Sequence, residues 1–380
     1  MDNYIVYFSR FNNDPSGNGG DKRTAQICDI LNFTKHEFIS MYNMSLPNGN
    51  WLEKALYNPS GIFQTKLAYL YKQYISYGNY LRWSERFRDF LFYTHAMSHL
   101  VIKRLGNNYP ALLMIDDPVF LAPVVHYAKS NSISLIALCH NIETLSREQV
   151  EPIYQREMLK YELDLIAKCD LVVTISKEEN LILNNLGMNP VYLPYFPVNQ
   201  TLERFRSVNN NRKTGTKSDY LLLGTAHNLP TLEGMKRIIS TIANQRNLHD
   251  DRLVIAGYGT KERLGHIDDP SIDLRGEVTD TELDALLASI KGCIVYQENG
   301  SGALTKIPEL LIAGVPVIIN SHAARSYHNL PGIFEFAALE QLGEQMNAAA
   351  KCSQFPQVLS PPDRSILQKR IADFIPARKL

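Results

Sequence analysis

The densest group of side chains that could do chemistry lies in QENGSGALTKIPELLIAGVPVIIN, residues 297–320. A small loop precedes a predicted helix, and together they carry Gly300, Ser301, Gly302, Lys306 and Glu309. Loop amides and a helix dipole favour a diphosphate, a lysine adds a cationic donor, and a glutamate can accept two ribose hydroxyls. The spacing therefore predicts a nucleoside-diphosphate site. The alternative is a surface pair between Lys306 and Glu309, which lie three residues apart.

A second group, CHNIETLSRE at 139–148, directly follows the apolar run SLIALC. Because open α/β sheets bind ligands at the ends of strands, His140 is a candidate to bond a sugar hydroxyl or to align reacting groups. Asn141 is predicted to cap the next helix and Glu143 to lie in its first turn, and both are candidates for contacts with the sugar or the acceptor. A purely structural histidine is the alternative for His140.

Two weaker groups follow other apolar runs. Asp116, beside Asp117 after ALLMI, could contact an acceptor or serve as a cap or turn residue. Gly19 and Gly20 come before a helix predicted to begin near Asp21, where free amides suit a phosphate. The spacing is not GxGxxG, and a plain flexible loop fits these glycines as well.

The elements that must position these groups are short apolar runs separated by helix-length segments. The runs are YIVYF at 4–8, ALLMI at 111–115, SLIALC at 134–139, LVVTIS at 171–176, YLLLG at 220–224, RLVIAG at 252–257, GCIVYQ at 292–297 and PVIIN at 316–320. Such runs are typical of parallel strands buried on both faces. The fold class is therefore α/β, with two doubly wound, Rossmann-like sheets.

Length supports two domains, because 380 residues exceed what one core usually holds. The stretch 194–218, with prolines and an Asn, Lys, Thr and Gly run, indicates a connector that passes into a solvated loop. We predict an acceptor-side domain at 1–198 and a nucleotide-sugar domain at 199–360. A final helix within 361–380 is predicted to pack back on the first domain.

The segment 51–105 is predicted to be a helical insertion in the first domain. It holds eight Lys or Arg against three acids, together with both tryptophans. One interpretation is a solvated basic face over an aromatic core. The other is a surface that meets a lipid-linked or acidic acceptor, which would place the protein peripherally at the inner face of a membrane.

Composition narrows the classes of function. Lys plus Arg and Asp plus Glu both number 39, which leaves no basic surplus for a nucleic-acid partner. The five cysteines include no CxxC pair and no histidine at metal-ligand spacing, so neither disulfides nor zinc is predicted. With no D-x-D triplet, no leader and no membrane-spanning run, we expect a cytoplasmic protein without a metal or other cofactor.

A family resemblance adds to these predictions. GALTKIPELLIAGVPVI resembles the nucleotide-binding helix of glycosyltransferases with the GT-B fold, especially the family 4 type. HNIE at 140–143 is similar to the HN-x-E strand end of that group, CDLVVTISKEENLILNNLG at 169–187 to its first lobe, and GTAHNLPTLEGMKRII at 224–239 to the opening of its second lobe. The resemblance implies two Rossmann-like domains that face a central cleft.

The resemblance also implies roles for the candidate residues. Glu309 would bind the donor ribose, and Lys306 with the amides of Ser301 and Gly302 would bind the diphosphate. His140 would contact the transferred sugar. The resemblance places Gly19 and Gly20 in a loop near the donor phosphate and the acceptor. His227 and Asn228 stand where the group often has Arg and Lys, and they are further candidates for sugar contacts.

The implied activity is transfer of a hexose from a nucleotide sugar to a glycan or lipid-linked acceptor, as in polysaccharide biosynthesis. It would proceed with retention and without a metal, with His140 and Lys306 as catalytic residues. The alternatives are a nucleotide-sugar epimerase and a non-catalytic protein that binds sugar nucleotides or a partner enzyme.

Overall fold

The structure is a computed structural model that describes residues 4–41, 105, 110–146, 152–245, 251–352, 355 and 359–375. The chain divides into two compact units, Met1–Pro194 with Asp363–Leu380, and Tyr195–Pro362. Each unit is built on a six-stranded sheet in which all the pairings between described strands are parallel. The predicted α/β class with two doubly wound sheets is therefore confirmed. Apart from Leu105, the predicted insertion 51–105 lies outside the described residues.

The sheet of the first unit has the order β2-β1-β3-β4-β5-β6. Its strands are β1 (Ile5–Ser9), β2 (His36–Ser40), β3 (Leu112–Ile115), β4 (Ser134–Cys139), β5 (Leu171–Thr174) and β6 (Val191–Tyr192). The described helices of this unit are Gly19–Leu31, Ala122–Ser130, Glu143–Ser146, Pro152–Ile166, Lys177–Asn185 and Arg364–Ala372.

Both faces of this first sheet are covered. Along β1, Val6 and Phe8 join one apolar cluster while Ile5 and Tyr7 join another, because successive side chains of a strand point to opposite faces. The four residues are at most 1% exposed. Burial on both sides explains why the central strands appear in the sequence as continuous apolar runs.

The helix Arg364–Ala372 belongs to the first unit although it lies near the end of the chain. Leu367 and Ile371 are fully buried in the same cluster as Ile27 and Leu31. Arg364 Nη1 also lies 2.5 Å from a carboxylate oxygen of Asp29. Apolar burial and an ion pair thus attach this helix to the helix Gly19–Leu31.

The sheet of the second unit has the order β12-β11-β10-β7-β8-β9. Its strands are β7 (Ser218–Leu223), β8 (Leu253–Ala256), β9 (Ile272–Gly276), β10 (Ile290–Val295), β11 (Val317–Asn320) and β12 (Ile333–Phe336). The described helices are Asn199–Thr214, Leu229–Gln245, Thr260–Leu264, Asp280–Ser289, Lys306–Ile312 and Leu342–Lys351, with a 3-10 turn at Leu339–Gln341.

The prediction of a connector and a solvated loop at 194–218 is wrong for most of its length. Residues Asn199–Thr214 form a helix that buries Leu202, Phe205 and Val208. These apolar residues recur every three positions, so they share one face of the helix, which packs on the core. The Asn, Lys and Arg residues of the same stretch dominate its composition. The strongly polar composition concealed a narrow apolar stripe.

Candidate functional site

Each sheet has a switch point beside its first strand. The chain first adds strands on one side of that strand and later adds strands on the other side. In the first unit it lies between β1 and β3, and in the second unit between β7 and β10. Ligands of open α/β sheets bind outside the carboxyl ends of the strands at such points. The sequence candidates follow these strands, Gly19 and Gly20 after β1, Asp116 after β3, His227 and Asn228 after β7, and the 300–309 segment after β10.

The loop Gly300–Gly302 of the second unit has an unusual backbone. Gly300 has φ +105° and Gly302 has φ +71°, a region that side-chain-bearing residues rarely adopt. Three carbonyls of the loop are held from one side. Arg325 donates from Nε to Gly302 O at 2.6 Å and from Nη2 to Ser301 O at 3.0 Å, and His322 Nε2 lies 3.1 Å from Gly300 O.

The orientation of these carbonyls fixes the loop amides. In a trans peptide the C=O and the following N–H point in opposite directions. The amides of Ser301, Gly302 and Ala303 therefore face away from Arg325 and His322. Successive amides directed to one side form a concave surface that suits an anion. The role of Ser301 and Gly302 toward a diphosphate stays a prediction.

Lys306 begins the helix Lys306–Ile312 directly after this loop. Its Nζ donates to Leu223 O at 2.9 Å, at the carboxyl end of β7. A Cβ atom added at Gly224 would lie 3.3 Å from the same Nζ, so the glycine gives the ammonium room beside the strand end. The structure thus brings Lys306 to the switch point of the second sheet.

Glu309 is not part of a surface pair with Lys306. It is 4% exposed, and its Oε1 accepts a hydrogen bond from Tyr195 Oη at 2.8 Å. A carboxylate retains acceptor capacity beyond one such bond. The interpretation of Lys306 and Glu309 as an exposed ion pair is therefore wrong, while a role of Glu309 in binding ribose stays a prediction.

Asn228 has a structural function in the helix Leu229–Gln245. Its Oδ1 accepts from Thr231 N at 3.1 Å and from Thr231 Oγ1 at 2.9 Å, which satisfies an amide of the first turn. Gln297 Nε2 donates to the same Thr231 hydroxyl at 3.2 Å, and its Oε1 lies 3.3 Å from Arg325 Nη2. A chain of bonds thus runs from this helix start to the Gly300–Gly302 loop.

His227 is exposed at the end of β7. Its ring lies 4.9 Å from that of Tyr258, tilted by 44°. A Cβ atom added at Gly259 would approach His227 Nε2 within 2.5 Å. The structure therefore places His227 against the β8 end of the sheet, and its role toward a sugar remains a prediction.

His140 in the first unit directly follows β4. Its ring stacks on Phe11 with centroids 4.9 Å apart and planes 9° apart. Among the described residues neither ring nitrogen has a hydrogen-bond partner. Burial first, and then the charges of the Arg23 and Arg10 guanidinium groups, lower the pKa of His140 to about 3. The imidazole is neutral at physiological pH, with one nitrogen able to donate and the other to accept.

Two buried glutamates hold the segment that follows His140. Glu162 accepts from Glu143 N at 2.7 Å and from Thr144 N at 2.8 Å, and Glu179 accepts from Ile142 N at 2.8 Å. The helix Glu143–Ser146 therefore obtains its caps from other helices. The prediction that Asn141 caps this helix is wrong, because Asn141 lies two positions before its first residue. Glu143 lies in the first turn as predicted.

The guanidinium group of Arg10 lies near two carboxylates, those of Asp117 and Glu143. Arg10 Nη1 lies 3.1 Å from Asp117 Oδ2 and 3.9 Å from Glu143 Oε2. Asp116 is as buried as Asp117, at 2% exposed, but has other partners. Its carboxylate accepts from Ser9 Oγ and, at 3.0 Å, from Arg10 N. Burial raises the pKa of Asp116 to about 7. These bonds tie β1 to β3 at the switch point.

Gly19 and Gly20 lie in the first turn of a helix that begins two residues earlier than predicted. Asn18 caps it, accepting from Gly20 N at 2.8 Å and from Asp21 N at 3.2 Å. Two of the amides expected to meet a phosphate are therefore bonded within the protein. A Cβ atom added at Gly20 would lie 2.3 Å from the Phe11 ring, so this glycine makes room for the ring that stacks on His140.

Comparisons with known proteins place this architecture. No family model and no curated protein sequence matches the chain. HepE from Anabaena, solved with UDP and glucose, matches with a TM-score of 0.57 at 12% identity over 97% of this chain and 98% of HepE. WaaG, a glycosyltransferase involved in lipopolysaccharide biosynthesis, matches with a TM-score of 0.53 at 13% identity over 97% and 99%. The UDP-GlcNAc 2-epimerase from Methanocaldococcus jannaschii matches with a TM-score of 0.55 at 13% identity over 98% and 99%.

The chain has the GT-B fold. The structural similarity shows the GT-B architecture. Identities of 12–13% do not show the activity, so membership of family 4 stays a prediction. The GT-B sheets supply the two switch points, and the chemistry of the residues there stays a prediction.

Several residues that shape these GT-B sites were missed in the sequence. Arg325, Tyr195, Glu162, Glu179 and Phe11 belong to no spacing pattern with the motifs that they contact. Burial of a charged residue could have indicated some of them, but burial is not visible in a single sequence.

The described part of this GT-B chain has no metal-binding group and no membrane-spanning helix. No group of three or more His, Cys, Asp or Glu residues there could hold a metal ion. No helix there combines the length and the hydropathy needed to cross a membrane.

Proposed function

We propose that the protein is a glycosyltransferase that moves a sugar from a nucleoside-diphosphate donor to a glycan or lipid-linked acceptor. The observation that carries the proposal is the switch point of the second sheet. There the oriented amides of Ser301 and Gly302, the ammonium of Lys306 and the buried carboxylate of Glu309 follow one another along a single loop and helix. HepE, of similar fold, was solved with UDP and glucose, which agrees with a nucleotide sugar as donor.

The second unit would stabilise the departing diphosphate. Charge develops on the leaving oxygen during transfer, and pre-positioned amides and a lysine stabilise that charge without reorganising. Lys306 is held beside β7 by Leu223 O, so its position is set before a ligand arrives. Glu309 would accept the ribose hydroxyls.

The first unit would present His140 to the transferred sugar. A neutral ring with a pKa of about 3 can hydrogen-bond a sugar hydroxyl without adding positive charge beside an oxocarbenium-like centre. Buried nitrogens also favour a hydroxyl ligand, because an unmet polar group in a dry site costs about 1–3 kcal/mol. In line with the family resemblance, we propose a retaining hexosyl transfer that needs no metal.

Calorimetric titration with UDP, GDP, dTDP, ADP and CMP tests the donor site. Lys306→Ala and Glu309→Ala should each weaken the preferred nucleotide by about 1–3 kcal/mol, since each removes a charged hydrogen-bond partner. Glu233 and Lys236 give a matched control, because they form an exposed ion pair at the same three-residue spacing in the same unit. Glu233→Ala and Lys236→Ala should leave binding unchanged. If no nucleotide binds the wild type, the proposed function is wrong.

An epimerase is the second candidate, because a UDP-GlcNAc 2-epimerase matches the fold as well as WaaG does. Incubation of the wild type with the preferred nucleotide sugar and no acceptor separates the two activities. Proton NMR of the anomeric region should show an unchanged donor, or slow hydrolysis, for a transferase. Accumulation of the epimeric nucleotide sugar would instead identify an epimerase.

A further inference from the structure

Arg325 lies behind the loop that would bind the diphosphate. It is 8% exposed and follows β11 in the segment SHAARSYHN, outside every motif recognised in the sequence. Its guanidinium donates to Gly302 O at 2.6 Å, Ser301 O at 3.0 Å, His322 O at 2.8 Å and Gln297 Oε1 at 3.3 Å. All three nitrogens of the fork take part in these bonds.

Such a fork can fix a loop that would otherwise sample many conformations. Glycine loses more backbone freedom on ordering than other residues, and Gly300 and Gly302 both have positive φ. The planar guanidinium sets the directions of several carbonyls at once. Since each carbonyl opposes the next amide, the side chain also sets where the amides of Gly302 and Ala303 point.

The charge of Arg325 acts in the same direction as this geometry. It sits on the carbonyl side of the loop, so its field adds to the positive potential on the amide side, where an anion would lie. A buried charge is screened less by salt than a surface charge is. Its contribution should therefore depend on the charge of the ligand and persist at moderate ionic strength.

We infer that Arg325 is a positioning residue for the donor diphosphate, acting through the Gly300–Gly302 loop without touching the nucleotide. This inference rests on the proposed function. Arg325 contributes to binding of the diphosphate and hardly at all to binding of the nucleoside. Glu309 has the opposite signature, because a ribose contact affects nucleotides and nucleosides alike.

Arg212 provides a matched control in the same unit. It is also 8% exposed, and it donates to the carbonyls of Gly314 at 2.9 Å, Ile290 at 2.9 Å and Leu287. None of these carbonyls belongs to the Gly300–Gly302 loop. Loss of Arg212 should lower the stability of the unit in a similar way but leave its selectivity for diphosphates unchanged.

The experiment measures the affinities of UDP, UMP and uridine, or the matching set for the base that the wild type prefers. Arg325→Met should weaken UDP by roughly 10- to 100-fold and UMP by less than about threefold, with uridine unaffected. Arg325→Lys should lose at least about fivefold in UDP affinity, because an ammonium keeps the charge but not the planar fork. Arg325→Gln serves if the methionine variant does not fold. Glu309→Ala should weaken all three ligands.

The outcomes separate the inference from the proposed function. If the wild type binds UDP but Arg325→Met or Arg325→Gln weakens UDP, UMP and uridine equally, Arg325 is merely structural and the inference is overturned. Full UDP affinity in Arg325→Lys overturns the positioning role as well. Failure of the wild type to bind any nucleotide ends the proposed function and the inference together. Loss of the UDP preference in Arg325 variants, with the preference intact in Arg212→Met, establishes the inference.

Discussion

Replacing Gly20 with alanine should destabilise the protein and expose His140, although helix propensity alone predicts the reverse. Gly20 is the second residue of the helix Gly19–Leu31, where alanine normally gains up to about 1 kcal/mol over glycine. The new Cβ would lie 2.3 Å from carbon atoms of the Phe11 ring. Because carbon atoms in contact are about 3.5–4.0 Å apart, the ring must move by more than 1 Å.

The expected magnitude has two parts. Overpacking of this size typically costs about 1–3 kcal/mol, so the net loss after the propensity gain is roughly 0–2 kcal/mol. The larger effect concerns His140, whose pKa of about 3 depends first on burial. A pKa of about 3 in place of 6.5 corresponds to roughly 5 kcal/mol against protonation. When the Phe11 ring moves and water reaches the imidazole, the pKa of His140 should rise toward 6.5.

The pH dependence follows with a definite sign. As the pH falls below about 6.5, the unfolded wild type takes up a proton on His140 while the folded protein does not, so His140 lowers the stability of the fold between pH 6.5 and 3. At pH 5 the wild-type ring should be roughly 1% protonated, and a ring with an ordinary pKa roughly 97%. Gly20→Ala should therefore reduce the acid-induced loss of stability that His140 causes.

NMR of protein with isotope-labelled histidine measures the titration of His140 directly. The His140 ring resonance is identified among the ten histidines by its absence in His140→Gln. It should not titrate between pH 5 and 8 in the wild type and should titrate in Gly20→Ala. Gly215→Ala is the control, because a Cβ atom there would meet no atom closer than 3.4 Å. If Gly20→Ala is more stable than the wild type and its His140 still does not titrate, the packing argument is wrong.

Two further predictions concern other buried polar groups. Asp116 has a folded pKa of about 7 against an ordinary 3.8, so it lowers stability as the pH rises from about 4 to 7, and Asp116→Asn should lose about 3 kcal/mol of that dependence between pH 5 and 8. Urea unfolding of the first unit measures it, and parallel curves for the two proteins would contradict it. Tyr195→Phe removes a hydrogen bond to the buried Glu309 carboxylate and should cost roughly 1–3 kcal/mol in thermal unfolding. Tyr220→Phe, which removes a bond to the neutral Met346 carbonyl, should cost less, and an equal loss would refute this account of Glu309.

The sequence predicted the centre of each sheet and missed its edges. The eight strands found as apolar runs include all the interior strands, and the four missed strands, β2, β6, β9 and β12, are the outermost ones. An edge strand pairs with one neighbouring strand only. The side chains of the four edge strands are also mostly half-buried here, so helices cover their faces less completely. Without burial on both faces the sequence need not be continuously apolar, so the pattern used for the central strands does not apply.

The candidate site divides in a similar way between local and distant determinants. The order of loop, Lys306 and Glu309 is local, so the sequence could predict it. The partners of these groups come from far along the chain, as Tyr195 does for Glu309 and Arg325 for the loop. Helix starts also have local and distant partners. Asn18 and Asn228 cap helices that begin at the next residue, so such caps can be predicted from the sequence. Glu162 and Glu179 bind the start of the Glu143–Ser146 helix from other helices, so these partners cannot be predicted from local spacing.

Each unit uses a buried charged side chain to orient the backbone of a segment that would carry chemistry. Behind His140, the carboxylates of Glu162 and Glu179 bind amides, and behind the Gly300–Gly302 loop, the guanidinium of Arg325 binds carbonyls. The sign of the buried charge differs because the two segments present different groups. A loop that presents amides to an anion needs a donor such as a guanidinium to bind its carbonyls. A segment whose amides are bound by carboxylates presents its side chains instead. Removing such a charge should therefore disturb the geometry of the loop it holds without removing any group that touches a ligand.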